Sequence, residues 1–131
     1  MALNRALRLR KGSEFQRVRQ QGRSLASRLL ILAWASCPAD RYPNAAGRPR
    51  IGFIVSKRVS KLAVERNYIK RLLGEAIRPS LPGLPAGTDI VISARNLAKT
   101  ADLPALEEDV VNLLQRAGLL ERHINPDGDT Q

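Results

Sequence analysis

The sequence predicts a single α+β domain, and three observations predict it. The chain has 131 residues, within the ~100–200 residues of one domain. With 44% hydrophobic residues and only 4% aromatic, it can build a core of Leu, Ile, Val and Ala. Short branched apolar runs alternate with segments whose apolar residues recur at helical spacing. The expected domain covers residues 1–120, with a disordered polar tail over 121–131.

Residues 1–12 are basic and expected to be extended. Ser13 offers an N-cap with Gln16 three residues on, and Gly22 offers a C′ position, so the first helix lies between them. Leu29 to Ala35 is a branched run bounded by turn signals, which favours a strand over a buried helix. Alternation puts Trp34 with Leu30 and Leu32 but leaves open which face is buried. Pro38, Pro43, Asn44, Gly47 and Pro49 mark a loop over 37–49. Ile51 to Val55 is a second strand, expected to pair antiparallel with the first across that loop. Over 61–78, Leu62, Ile69, Leu72, Leu73, Ala76 and Ile77 form one apolar helical stripe, which Pro79 stops. Proline and glycine then make 79–87 a rigid loop, and Asp89 to Ala94 is a third strand. Asp102 caps a last helix whose core side is Leu103, Leu106, Val110, Leu113 and Ala117, ending at Gly118.

Charge gives the first functional direction. The formal net charge is +10, but residues 1–78 hold 18 basic and 4 acidic side chains, against 4 and 8 in the remainder. Positive charge gathered in one part of a domain indicates a polyanion partner, with nucleic acid ahead of an anionic membrane surface. Cys37 is the single cysteine, which excludes an intrachain disulfide and a cysteine-based zinc site, and His123, the single histidine, lies in the polar tail, so histidine-dependent nucleophilic catalysis is not expected. Glu107, Glu108 and Asp109 are consecutive helical positions, pointing in different directions, and read as a solvated face. No run approaches the ~20 apolar residues of a membrane span. A cytoplasmic location without membrane association is expected.

The sharpest feature is the segment from Val55 to Arg71. Lys57, Arg58 and Lys61 lie where a strand hands over to a helix, and the free N–H groups there favour anions. Arg66 and Lys70 are four apart, as are Asn67 and Arg71, and Arg78 continues that side. The helix is expected to give one side to the core and the other to cationic donors. Gly74 is expected on the exposed side. Phe15 could stack on an unpaired base or belong to the core.

Arg66-Asn67-Tyr68-Ile69-Lys70-Arg71, preceded by Gly52-Phe53-Ile54-Val55-Ser56-Lys57-Arg58-Val59, resembles the signature of the bacterial ribonuclease P protein component. That signature is a strand, Ser-Lys-Lys/Arg, a spacer, then Arg-Asn-Arg-Ile/Val-Lys-Arg on a helix. The resemblance spans residues 8–117 and includes Leu9-Arg10-Lys11, Gly22-Arg23-Ser24 and the strand from Asp89 to Arg95. Tyr68 stands where the family usually has Arg, Gly74 where an Arg is common, and Ala33 where an aromatic is common.

The resemblance implies a two-layer α/β sandwich similar to the second domain of ribosomal protein S5, with a left-handed βαβ crossover. It implies a protein subunit that joins a catalytic RNA to remove 5′ leaders from precursor tRNA, the RNA carrying the chemistry and holding most of the Mg2+. Lys57, Arg58, Lys61, Arg66, Asn67, Tyr68, Lys70, Arg71 and Arg78 would contact that RNA. Phe15, Arg17 and Arg19 would line or flank the path of the single-stranded leader. No catalytic or metal-ligating residue is expected in the protein, and no obligate protein partner. A general RNA chaperone or ribosome-associated protein is the alternative, since it needs only the basic face.

Overall fold

A computed structural model describes residues 9, 12–36 and 49–120. Cys37, His123, most of the 37–49 loop, the tail over 121–131 and all but Leu9 and Gly12 of the basic opening segment lie outside the described residues. The elements are α1 (Gly12–Gln21), β1 (Arg23–Ala26), β2 (Leu30–Ser36), β3 (Arg50–Ile54), α2 (Ala63–Ile77), β4 (Thr88–Ala94) and α3 (Leu103–Arg116). Two short 3-10 helices, Arg78–Gly83 and Asn96–Thr100, follow α2 and β4.

The four strands form one sheet in the order β1-β2-β4-β3, with β3 and β4 parallel and the other pairs antiparallel. This corrects the expected pairing of the first two apolar runs: β4 lies between β2 and β3. The reason is burial. Ile90, Val91 and Ile92 are each at most 1% exposed, so β4 is covered on both faces. A strand apolar on successive residues is sheltered in the middle of a sheet, not at its edge. The fourth strand, β1, was not expected. Its sequence Arg-Ser-Leu-Ala has one large apolar residue and gives no alternation. It is formed by its hairpin, where the Ser27 N–H donates to the Leu30 carbonyl (2.8 Å) and the Leu30 N–H donates to Ser27 Oγ (3.0 Å).

The crossover from β3 through α2 to β4 is left-handed, and the ladder shows why. The Arg95 N–H donates to the Leu29 carbonyl (2.8 Å), so odd-numbered residues of β4 direct their amides at β2. Ile90 and Ile92 therefore direct theirs at β3, while their side chains enter the core beneath α2. For L-residues those two directions put β3 to the right of β4, seen from α2 with both strands pointing up. The chain leaves β3, passes over that face and enters β4 on the left, against the usual hand.

One face of the sheet carries the main core. Leu30, Leu32, Ile51, Ile90 and Ile92 pack under Ile69, Leu73 and Ile77 of α2 and Leu106, Val110 and Leu113 of α3, with Trp34 half-buried on this side. The opposite face carries α1 on a smaller cluster of Leu9, Val18, Ala33 and Val91, with Phe15, Ala35 and Ile54 packed against it. Two glycines permit that approach. A Cβ on Gly52 would lie 2.3 Å from the Phe15 ring, and one on Gly22 would lie 2.2 Å from the Trp34 carbonyl oxygen. Gly22 thus ends α1 by close approach and not by a left-handed conformation, which among the described residues only Gly87 and Gly118 adopt.

Other differences are local. The first helix begins at Gly12, so Ser13 lies inside its first turn and not before it. Leu62 precedes α2 and is exposed, whereas Gly74, expected outside, is buried. The last helix matches expectation: Asp102 accepts a hydrogen bond from the Ala105 N–H (3.0 Å), and Gly118 closes the far end at φ +78°. Asp102→Ala is expected to cost about 1 kcal/mol and lower the melting temperature by about 4 °C. A drop below about 1 °C in a thermal melt would show that water replaces the cap.

Candidate RNA interface

The strand-to-helix junction is built around buried Val59 and Ser60. The Ser56 carbonyl accepts from the Val59 N–H (3.1 Å) and the Ser60 N–H (3.3 Å), turning the chain tightly after β3. The turn pulls Val59 inward and leaves Lys57 and Arg58 in solvent. Ser60 Oγ accepts from the Leu62 N–H (3.2 Å) and donates to the Glu65 carboxylate. Leu62, the N-cap of α2, supplies no side-chain acceptor, so the positive end of the helix faces solvent among Lys57, Arg58 and Lys61.

Arg66 does not stand with Lys70 on an open face. It is half-buried, and its Nη1 donates to the carbonyls of Ser60 (3.0 Å) and Lys61 (2.9 Å). It therefore clamps the junction. Asn67, Tyr68, Lys70 and Arg71 are exposed. No described residue forms an ion pair with Lys57, Arg58, Lys61, Lys70 or Arg71. Val64 and Tyr68 stand one turn apart, 76% and 59% exposed, and place an apolar strip among these donors. Arg78 lies in the 3-10 helix after α2 and pairs with Glu75 (3.0 Å), so it does not extend the face as a free cation.

Arg95 and Arg28, which lie outside the basic motif, also join this surface. Ile54 and Ser93 are paired in the parallel ladder, so the chain leaves β4 at the same end of the sheet as Lys57 and Arg58. Arg95 is exposed there, its Nη1 donating to the Ser27 carbonyl (2.6 Å), and Arg28 is exposed in the adjoining hairpin. A basic residue directly after a strand was the available signal; its neighbours depended on the strand order.

On the other side of the sheet, α1 covers only part of the surface. Beyond it Ser24, Ala26 and Ile31 are exposed and Ile54 and Ser93 half-buried. Phe15 packs over Gly52 and Arg19, one turn on, is exposed beside it. Arg17 turns the opposite way: it bonds to Asp89 and donates to the Ser36 carbonyl (3.1 Å). Those partners lie at the end of the sheet away from Ile54 and Ser93. Arg17 is thus removed from the open surface, because a buried carboxylate holds it.

Among the described residues no group of three or more His, Cys, Asp or Glu could hold an ion. Asp109 bonds to Ser27, and a groove of about 640 Å³ that it lines with Arg28, Leu97 and Ala105 lies on the α3 side. Among the described residues no helix is long and apolar enough to cross a membrane.

A family model described as Ribonuclease P matches residues 3–118. The chain belongs to the ribonuclease P protein family. It is 42% identical over 125 residues to the ribonuclease P protein component of Chloroflexus aurantiacus, covering 94% of this chain and 86% of that one. With that of Roseiflexus castenholzii the identity is 40% over 131 residues, covering 97% and 100%. The structure of the Staphylococcus aureus RNase P protein is similar with a TM-score of 0.73 at 27% identity, covering 88% and 98%. For that of Thermotoga maritima the TM-score is 0.69 at 26% identity, covering 83% and 96%. The chain is therefore the protein subunit of ribonuclease P, the ribonucleoprotein endoribonuclease that matures tRNA 5′ ends.

Proposed function

We propose that this subunit works by position and charge on two surfaces. The junction before α2 and the exposed stripe of the helix dock the catalytic RNA. Lys57, Arg58, Lys61, Lys70 and Arg71 reach phosphates, Asn67 reaches a 2′-hydroxyl or base edge, and Tyr68 presents a ring for stacking. The open part of the opposite face, bordered by Phe15 and Arg19, takes the single-stranded 5′ leader of precursor tRNA. Arg95 and Arg28 continue the phosphate track along the sheet end between the two.

One observation supports this most: the exposed cations of α2 and its junction lack described acidic partners and are interrupted by Val64 and Tyr68. A merely solvated helix face would interleave acids at i,i+4. Mg2+ and the cleavage step are assigned to the RNA. Cations on the protein relieve repulsion where RNA backbones crowd, so the assembled particle should work at lower magnesium.

Reconstitution tests this. Nuclease-treated protein added to its RNA is expected to restore precursor-tRNA cleavage at near-physiological magnesium. Failure there, with tight binding to ribosomes, would favour a general RNA-binding role. Cleavage by the protein without RNA would overturn the division of labour.

A further inference from the structure

Four charged side chains, three buried and Arg17 partly so, meet between α1 and the sheet, at the end of the sheet opposite the proposed leader path. Arg50, 8% exposed, donates from Nε to Asp89 Oδ1 (2.9 Å), from Nη2 to Asp89 Oδ2 (2.8 Å) and from Nη1 to Glu14 Oε2 (2.6 Å). Arg17 donates to the same Asp89 carboxylate and to the Ser36 carbonyl. Asp89 is fully buried and Glu14 4% exposed. Two positive and two negative groups make the cluster neutral, and the carboxylates come from different elements, Glu14 from α1 and Asp89 from β4.

We propose that this cluster is a positioning device for leader binding: Glu14 and Arg17 set the rotation and tilt of α1, and so place Phe15 and Arg19 beside the open sheet. The proposal rests on the assignment of that surface to the leader. The apolar contacts of α1 are few. Val18 is its one fully buried apolar side chain, and Phe15 lies on a glycine. A ten-residue helix held by so small a patch can slide or roll at little cost. Directional bonds remove that freedom, because the Arg50 fork fixes both Asp89 oxygens and leaves one nitrogen aimed at Glu14. Glu14 and Phe15 are adjacent, so moving one moves the other. Phe15 and Arg19 share the side of α1 that faces Gly52 and, beyond it, Ile54 and Ser93; Arg17 lies on the side that faces Ser36 and Asp89. Arg17 therefore serves the leader through α1 and touches none of it.

A direct phosphate contact and a positioning role predict opposite results for an acidic member. Glu14→Gln removes a negative charge near a polyanion, so direct electrostatics would strengthen binding, whereas loss of position would weaken it. The test uses the full chain assembled with its catalytic RNA. Affinity is measured for precursor tRNA with a long leader and with the leader cut to one nucleotide, over a range of salt. The unsubstituted protein must favour the long leader; equal binding there would reject the leader surface itself. Glu14→Gln and Arg17→Met are each expected to reduce that advantage about tenfold. Affinity for the catalytic RNA should stay within about twofold, and the cleavage rate at saturating substrate should be unchanged. Arg17→Lys keeps the charge and loses the fork, and is expected to resemble Arg17→Met. An advantage retained or increased in Glu14→Gln, or an Arg17→Lys protein like the unsubstituted one, would overturn the proposal. So would equal losses with both substrates, which would leave the cluster a folding role alone.

Discussion

Lys61, Lys70 and Arg71 replaced together by alanine should lower affinity for the catalytic RNA about a thousandfold. Each is exposed and without an ion pair among the described residues, so its cost falls on binding and not on the fold. A charge-assisted contact contributes about 1.5 kcal/mol at the lower end of its range, which gives about 4.5 kcal/mol for three. The dependence of log affinity on log salt should flatten by about one unit per lost phosphate contact. Filter binding or fluorescence titration across several salt concentrations reads both quantities. Arg66→Ala should behave differently. Its Nη1 holds the Ser60 and Lys61 carbonyls, so the variant should lose thermal stability along with RNA affinity. A triple variant with unchanged salt slope would remove this face from the interface.

The largest effect on stability is expected from Asp89→Ala. Burial alone draws the Arg50 pKa down, but hydrogen bonds and charge from Asp89 and Glu14 outweigh it and leave the group above its usual value. Arginine also has no neutral form to retreat to. Removing Asp89 therefore leaves Arg50 and the partly buried Arg17 with Glu14 as the one remaining carboxylate of the cluster, at a cost of about 3–5 kcal/mol. That is a large part of the ~5–15 kcal/mol that holds a domain together. Urea denaturation should show the midpoint falling by about 2 M, at a slope near 2 kcal/mol/M. The pair change Arg50→Met with Asp89→Leu should cost less than the sum of the two single changes, since Arg50 and Asp89 bond to each other. Strictly additive costs would mean that the four side chains do not act as a network.

Strong local signals were legible in the residue order. The capped last helix follows from Asp102, its heptad-like apolar side and Gly118, all within one segment. The basic junction was equally visible, because Lys57, Arg58 and Lys61 sit between an apolar run and a helical period. Misplaced features depended on distant partners. Gly74 looked outward on its own helix, yet it is buried in the fold. Leu62 fitted the apolar period but lies one residue before the helix begins, where the junction turns it to solvent. The short strand β1 has no period to detect and exists because β2 offers it a ladder.

Residue order alone carried the composition of the core, the ends of the last helix, the family signature and the cationic character of one helix, since each is encoded in neighbours along the chain. Which strand is central, the left hand of the crossover, and which arginines remain free to meet RNA follow from contacts between distant residues. Pairing explains the difference. A charged side chain binds a partner outside the molecule only if no buried group inside has claimed it, and Asp89 claims Arg17 across 72 positions of sequence.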